Sequence, residues 1–138
     1  MSIVTRNTWG GVINKFNKDR TDGITDNCYI NQSGVVASDS QYYLSYPIPV
    51  IVGKTYTWRF NADEHSYHNA PTVGFYDSSD NLLSVATHSG AVRYFSFTIP
   101  NNCSYIKASV FKPYKDEAML NEGSTALPYH PYYEWVEQ

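Results

Sequence analysis

Tyrosine is the most frequent aromatic residue of the chain, with 13 copies among 138 residues. Flat aromatic faces that stack on C–H groups, together with planar polar side chains that bind hydroxyl groups, are what recognition of a sugar requires. Four residues alternate with apolar residues in extended stretches of the sequence and could supply such a surface: Arg59, Tyr76, Tyr94 and Lys107. The same side chains could instead lie beneath a second sheet, because alternation alone does not decide which face of a sandwich is exposed.

A polar segment supplies a second group of candidates, residues 62–71, which contain Asp63, Glu64, His65, Tyr67 and His68. Loops at the end of a β-sandwich often carry recognition residues, which makes His65, Tyr67 and His68 candidate contacts to a sugar. The two histidines stand three residues apart beside two carboxylates, but this spacing brings side chains together only on a helix. Asn69 and Pro71 favour a loop, so we expect a solvated polar segment without a metal ion.

The string Asp77-Ser-Ser-Asp-Asn81 has the composition of a tight turn. It lacks the alternating acidic residues and the glycine of an EF-hand loop. The turn accounts for these residues without an ion, so we expect no cofactor. A structural calcium ion held by scattered carbonyl groups and one or two carboxylates stays open, because such a site leaves no sequence pattern.

Motifs of catalysis are missing from the sequence. There is no Gly-x-Ser-x-Gly, no phosphate-binding loop and no metalloprotease signature. Thirteen carboxylates and four histidines produce pairs by chance, and none lies in a recognisable arrangement. We therefore predict a protein that is not an enzyme.

Two alternating runs on either side of Pro100-Asn-Asn102 form the strongest structural pattern of the chain. Phe95 and Phe97 share one face of the first run, and Ile106 and Val110 share one face of the second. A period of two with aromatic and β-branched residues predicts antiparallel strands that bury one face. If these faces form the core, Tyr94 and Lys107 lie on the opposite side of their strands.

Further short extended runs recur with turn residues between them, and no window keeps apolar residues at helical spacing for three turns. Tyr29–Val36 reads as a hairpin with its turn at Asn31–Gly34, whereas Pro47 and Pro49 make Tyr42–Val52 an edge strand or an irregular crossing. This pattern predicts an all-β fold, an antiparallel β-sandwich of jelly-roll type. The expected core comprises Tyr56, Trp58, Phe60, Val73, Phe75, Phe95, Phe97, Ile106, Ala108 and Val110, with Met119 and Leu120.

The length of the chain predicts its domain organisation, and its charge narrows the classes of binding partner. We predict a single domain over residues 15–138, preceded by a flexible or partner-dependent lead-in over residues 1–14. The formal charge is −3 and no basic run occurs, which disfavours nucleic acid as a partner. The start has no signal-peptide pattern, and the longest apolar run, near Ile48–Val52, is far too short for membrane insertion.

Cys28 and Cys103 are expected to be free, buried thiols, with a single bridge as the alternative.

Several strings of the chain resemble one family, the galactose-binding, carbohydrate-binding-module-like β-sandwich domains of phage tail fibres, tail tips and baseplates. The strings that carry the resemblance are Phe16–Lys18, Tyr29–Gly34, Ser45–Tyr56, Phe75–Ser78, Ile99–Lys107 and Met119–Tyr129. The last of them, Met-Leu-Asn-Glu-Gly-Ser-Thr-Ala-Leu-Pro-Tyr, is the most specific. The resemblance implies a virion protein of the phage tail, assembled in the host cytoplasm, that adheres to host cell-wall or surface polysaccharide.

Two other functions stay open beside host adhesion by a receptor-binding module. The chain could be an assembly domain that contacts other phage tail proteins, or an accessory domain of a polysaccharide-degrading enzyme. For glycan binding we expect one site in which the 62–71 segment overhangs the strand face, since concavity buries a ligand. If this surface does not bind, the next candidates are Tyr42, Tyr43 and Tyr114.

Overall fold

The computed structural model describes residues 14–60, 72–88 and 93–132, together with the backbone of residues 2–4 and 135–137. The predicted loop residues His65, Tyr67 and His68 lie outside this part of the chain. Within it the secondary structure is almost entirely β, with a single short 3₁₀ helix at Lys112–Glu117. The strands are β1 Ser2–Val4, β2 Thr25–Ile30, β3 Val36–Leu44, β4 Ile48–Pro49, β5 Thr55–Arg59, β6 Val73–Tyr76, β7 Leu82–Ala86, β8 Tyr94–Thr98, β9 Tyr105–Phe111, β10 Met119–Glu122 and β11 Trp135–Glu137.

All strand pairs are antiparallel, which confirms the predicted all-β, antiparallel class. A small sheet has the order β10-β5-β8. A large sheet has the order β2-β3-β9-β6-β7, and β4 also pairs with β9. β1 and β11 form a two-stranded sheet in which Trp135 pairs with Val4, so Trp135 has a strand partner that its sequence context did not suggest. Among the described residues no helix has the length and apolar character needed to cross a membrane.

The inward faces of the small and large sheets share one hydrophobic core. In the small sheet Trp58 lies opposite Phe95 and Leu120, and in the large sheet Phe75 lies opposite Ile106. All twelve residues of the predicted core are buried, and all except Met119 belong to this cluster. Two sheets that enclose one core are the arrangement of a β-sandwich.

The turn at Pro100 links the two sheets. β8 belongs to the small sheet and β9 to the large one, so the two strongest alternating runs of the sequence do not pair with each other. Asn102 adopts a left-handed backbone with φ of 69°, as asparagine tolerates. The outer faces of β8 and β9, which point away from the core, therefore lie on opposite sides of the molecule.

The β2–β3 hairpin turns where the sequence predicts it. Asn31 Oδ1 accepts hydrogen bonds from the backbone N–H groups of Ser33 and Val35, at 2.9 and 3.0 Å. Gly34 supplies the positive φ, 82°, that the turn needs. The prediction for Tyr42–Val52 holds only in part. Residues 42–44 belong to β3, which pairs with both β2 and β9, whereas between β3 and β5 the only strand is the two-residue β4.

Asn14, the last residue of the predicted lead-in, is 1% exposed and joins three parts of the structure. Its Oδ1 accepts hydrogen bonds from the N–H groups of Phe16 at 2.9 Å and Leu120 at 3.2 Å. Its Nδ2 donates to the carbonyl of His130 at 2.8 Å. Asn14 thus belongs to the packed part of the chain.

Both cysteines are free and buried, as expected. Cys28 lies in a small cluster with Ile30 and Leu44, whereas Cys103 belongs to the main core. Burial raises the pKa of both thiols, which keeps them protonated and poorly reactive at neutral pH.

Candidate functional site

The structure separates the predicted binding residues into two surfaces. Arg59 and Tyr94 lie on the outer face of the small sheet, where they are directly opposed on β5 and β8. Tyr76 and Lys107 lie on the outer face of the large sheet, on β6 and β9. The expectation that these four residues share one strand face is therefore wrong, because β8 and β9 belong to different sheets.

Arg59 and Tyr94 border a shallow cleft of about 150 Å³, whose described lining also includes Arg93 and Ala126. The Tyr94 side chain is 45% exposed, the most exposed tyrosine among the described residues. Arg93 immediately precedes β8 and is exposed. The cleft thus combines one accessible aromatic ring with two guanidinium groups.

The C-terminal segment 123–132 covers part of the small sheet and supplies one wall of this cleft. Thr57 Oγ1 donates to the carbonyl of Gly123 at 2.7 Å, and Ser96 Oγ donates to that of Ser124 at 3.0 Å. Arg59 Nη1 donates to the carbonyl of Leu127 at 3.4 Å. These side chains lie on neighbouring strands of one sheet face, so together they hold the wall containing Ala126 in place.

Asn121 and Met119 fix the same segment from β10. Asn121 Nδ2 donates to the carbonyl of Thr125 at 2.9 Å, and the His130 N–H contacts Met119 Sδ at 3.3 Å. Leu120 enters the main core, as predicted, whereas Met119 is buried on the opposite face of β10 beneath the segment. The sequence did not indicate Ala126 as a lining residue, because only the path of the segment places it there.

Tyr76 and Lys107 form a packed group on the large sheet. The Tyr76 ring stacks on Tyr105 with a centroid distance of 5.2 Å and an interplanar angle of 5°. Lys107 Nζ lies 5.3 Å from the Tyr76 ring centroid, a cation–π geometry. Burial raises the pKa of Tyr76. The ring is occupied by protein neighbours and offers less surface to a ligand than Tyr94 does.

Tyr105 connects this group to the 77–81 turn. Its hydroxyl donates to Asp80 Oδ1 at 2.7 Å, and desolvation together with this carboxylate raises the Tyr105 pKa. Asp77 Oδ1 accepts from the N–H groups of Ser79 and Asn81, both at 2.9 Å. Both acidic side chains of the turn are therefore hydrogen-bonded to groups of the protein itself. Within the described residues no group of three or more histidine, cysteine, aspartate or glutamate side chains could hold a metal ion.

The hydrogen bonds of Asp77 allow a prediction of how the folding stability of the protein changes with pH. Hydrogen bonds from the backbone of Asn81, from its side chain and from the backbone of Ser79 lower the Asp77 pKa. A carboxyl group with a lowered folded-state pKa stabilises the protein above its unfolded pKa, about 3.9, and this stabilisation is lost as the pH falls through the folded value. Asp77→Asn keeps an oxygen acceptor for the turn but removes the charge.

We expect the Asp77→Asn variant to be less stable than the parent at about pH 6, and this difference to shrink as the pH approaches about 2. Urea unfolding at a series of pH values measures it. Ser84→Asn, an exposed change on β7, is the control and should leave the pH profile of the parent unchanged. A difference in unfolding free energy between the parent and Asp77→Asn that stays constant across this pH range would contradict the prediction. It would show that ionisation of this carboxyl group does not affect stability.

Comparison of the chain with protein-family models, with curated proteins and with solved structures found no match. Of the residues that the sequence singled out, Arg59 and Tyr94 are the two that the structure brings together in a cleft.

Proposed function

We propose that the chain is a non-catalytic carbohydrate-binding module that adheres to host-surface polysaccharide through the cleft at Arg59, Arg93 and Tyr94. One observation carries the proposal: a half-exposed tyrosine ring lies beside two arginines in a walled depression. The ring provides a flat apolar surface for the C–H face of a sugar. The guanidinium groups provide planar arrays of donors for its hydroxyl oxygens.

The size of the cleft suits a short contact with a polysaccharide. At about 150 Å³ it is smaller than the pockets of roughly 300–1,000 Å³ that enclose drug-sized ligands. One sugar unit of a longer chain would be held there, with its neighbours extending along the surface. Such a contact is individually weak, and several copies of the module on one particle would strengthen attachment through avidity.

The phage-tail assignment and the jelly-roll class are part of the same proposal. They are supported by the resemblance of the sequence strings, of which Met119–Tyr129 is the most specific. This string contains β10 and most of the segment that walls the cleft. The part of the chain that most resembles tail adhesion domains thus borders the proposed site. Residues 61–71 follow directly after Phe60, and a contribution from His65, Tyr67 and His68 remains part of the proposal.

Binding of the fluorescently tagged chain to bacterial cells and to an array of their surface polysaccharides tests this function. We expect Tyr94→Ala to weaken binding at least tenfold, because a single aromatic platform often carries most of the affinity of a small site. Tyr94→Phe keeps the ring and should bind nearly as the parent does. Val36→Ala changes an exposed side chain of the large sheet and is the control for nonspecific loss.

The melting temperatures of these variants should stay close to that of the parent, since Tyr94 and Val36 are both well exposed. Binding of the parent to a polysaccharide with no loss in Tyr94→Ala would place the site elsewhere. If the parent labels no bacterial cell and binds no polysaccharide on the array, the adhesion function is wrong.

An assembly domain is a second candidate, and an exposed apolar patch favours it. Val35, Val36, Leu82 and Leu83 are each more than a third exposed, and β7 is an edge strand of the large sheet. Gly34 brings the hairpin tip next to this edge, since a Cβ placed on it would lie 3.4 Å from Leu82 Cδ2. Exposed apolar patches and open strand edges mark contacts between subunits. A stable oligomer in light scattering that Leu83→Lys converts to a monomer would support assembly through this patch.

A further inference from the structure

A second cavity, of about 210 Å³, lies at the side of the molecule where the 18–26 segment approaches the 3₁₀ helix. Its described lining contains four cationic side chains and one carboxylate, although the whole chain has a formal charge of −3. The lining residues are Lys18, Arg20, Thr21, Ile24, Asp26, Tyr43, Lys112 and Lys115. The structure thus gathers four cationic side chains from two distant segments of the chain, and three of them form ion pairs with Asp116, Asp22 and Asp26.

Tyr43 is the most buried member of this lining, with 7% of its surface exposed. Its hydroxyl makes no hydrogen bond to any residue that the structure describes, and it is not enclosed by the protein, so it is accessible from the cavity. Burial raises the pKa of Tyr43 to about 12, so the phenol keeps its proton at neutral pH. The cavity therefore offers an accessible O–H donor to a ligand with an acceptor oxygen.

The 3₁₀ helix brings two of the cations to the same side. Lys112 and Lys115 are three residues apart, and side chains at this spacing eclipse one another in a 3₁₀ helix. Lys112 Nζ lies 2.8 Å from Asp26 Oδ1 and 2.9 Å from Asn27 Oδ1. The Lys115 ammonium group forms no ion pair within the described part of the chain, so it is available to a ligand.

The other two cations are held by exposed partners. Lys18 Nζ lies 3.1 Å from Asp116 Oδ1, and Arg20 Nε lies 3.5 Å from Asp22 Oδ1, with both carboxylates largely exposed. The Arg20 guanidinium also packs over the Tyr46 ring at 4.3 Å. Exposed ion pairs of this kind contribute little free energy. Both side chains can therefore turn toward a bound anion at low cost.

We infer that this cavity, which we term the Tyr43 pocket, binds an oxyanion: a carboxylate or phosphate group of the kind that acidic saccharides carry. Lysines supply point charges for the anion, and Arg20 supplies paired donors. The Tyr43 hydroxyl donates to an oxygen of the anion, while Ile24 and the Tyr43 ring provide an apolar surface beside it. The inference goes beyond the cleft at Tyr94, since the pocket would take an anion whether or not that cleft binds a sugar.

Titration of the full chain with three probes, followed by amide NMR shifts at low ionic strength, tests the Tyr43 pocket. The probes are inorganic phosphate, glucuronate and neutral glucose. We expect phosphate and glucuronate to shift the signals of Ile24 and Lys112, and added salt to weaken both. A stronger response to glucuronate than to phosphate would identify a saccharide carboxylate as the preferred source, and the reverse would identify phosphate. Glucose acting as well as glucuronate would overturn the inference.

Two variants and a matched control separate a specific pocket from general attraction. Lys115→Gln should weaken binding of the better anion roughly tenfold, as expected for loss of a charged hydrogen-bond partner. Lys54→Gln removes the same charge from the Lys54–Glu122 pair on the small sheet and should leave the affinity unchanged. Equal losses in both variants, or no shifts with either anion, would show that no such pocket operates.

Tyr43→Phe provides the third readout. It should weaken anion binding several-fold but leave the melting temperature near that of the parent, because the hydroxyl has no hydrogen-bond partner to lose among the described residues. Unchanged binding in Tyr43→Phe would contradict the role of the phenol. Failure of the Tyr43 pocket would leave the cleft at Tyr94 untouched, since the two are probed by different variants.

Discussion

Replacing Trp58 with alanine is expected to destabilise the protein by about 3–5 kcal/mol, the usual cost of truncating a large buried aromatic side chain. Trp58 is 0% exposed and lies between Phe95 and Leu120 in the small sheet. Its ring also meets Phe16 edge-on, with centroids 5.3 Å apart. Against a total stability of about 5–15 kcal/mol, this loss would leave much of the protein unfolded at moderate temperature.

Urea unfolding of the parent, Trp58→Ala, Trp58→Phe and Tyr94→Ala measures this effect. Trp58→Phe should lose much less, because a phenyl ring refills most of the space. The indole Nε1–H also has no hydrogen-bond partner to lose within the described residues. Tyr94→Ala removes an aromatic ring from the outer face of the same sheet and should cost less than about 1 kcal/mol. Equal stability of Trp58→Ala and the parent would contradict the shared core.

Asn14→Ala is expected to have the second large effect, because it removes a buried side chain that satisfies two backbone N–H groups and one carbonyl. Leaving a buried donor without a partner costs about 1–3 kcal/mol for each group. The Phe16 and Leu120 N–H groups would both lose their acceptor. We therefore expect a total loss of roughly 2–6 kcal/mol.

Asn17→Ala is the matched control for this change. Within the described residues, the Asn17 side chain accepts a single, exposed hydrogen bond, from the backbone of Asp19, so its loss should cost less than about 1 kcal/mol. Thermal unfolding of the two variants compares them directly. A similar melting temperature for both would mean that the bonds of Asn14 contribute little.

Asn14 also couples stability to the proposed cleft. Its bond to the carbonyl of His130 holds the C-terminal segment that walls the cleft against the small sheet. Loosening that segment would displace Ala126 and the carbonyl of Leu127, to which Arg59 donates. A role of this kind for Asn14 had no signal in the sequence, since an asparagine in a polar stretch is ordinarily exposed.

Local patterns in the sequence were enough to predict the β2–β3 hairpin, β8 and β9 with their core faces, and two of the turns, but not β1, β10 or β11. The period of two assigns Phe97 and Ile106 to the core correctly, because side chains alternate across any strand whatever sheet it joins. The 31–34 and 77–81 turns were also predictable, since asparagine and aspartate side chains bond to backbone groups only two to four residues away.

Sheet membership could not be read from the same patterns. β8 pairs with β5 across about forty residues of chain, and β9 pairs with β6 in the other sheet. Alternation is a property of one strand, whereas pairing depends on contacts between distant segments and on the free energy of the whole core. Tyr94 and Lys107 each alternate with the core residues of their own strand. They nevertheless lie on opposite outer faces, because β8 and β9 belong to different sheets.

The sequence by itself determined an all-β chain with an apolar core, a surplus of tyrosine and candidate contacts at Arg59 and Tyr94. Only the tertiary structure placed these two residues in one cleft and gathered Lys18, Lys112 and Lys115 around Tyr43. The physical reason is that a binding surface is made by side chains from remote segments, which nothing in their local spacing brings together. Cationic side chains from the 18–20 and 112–115 segments line one cavity only after the strands have paired.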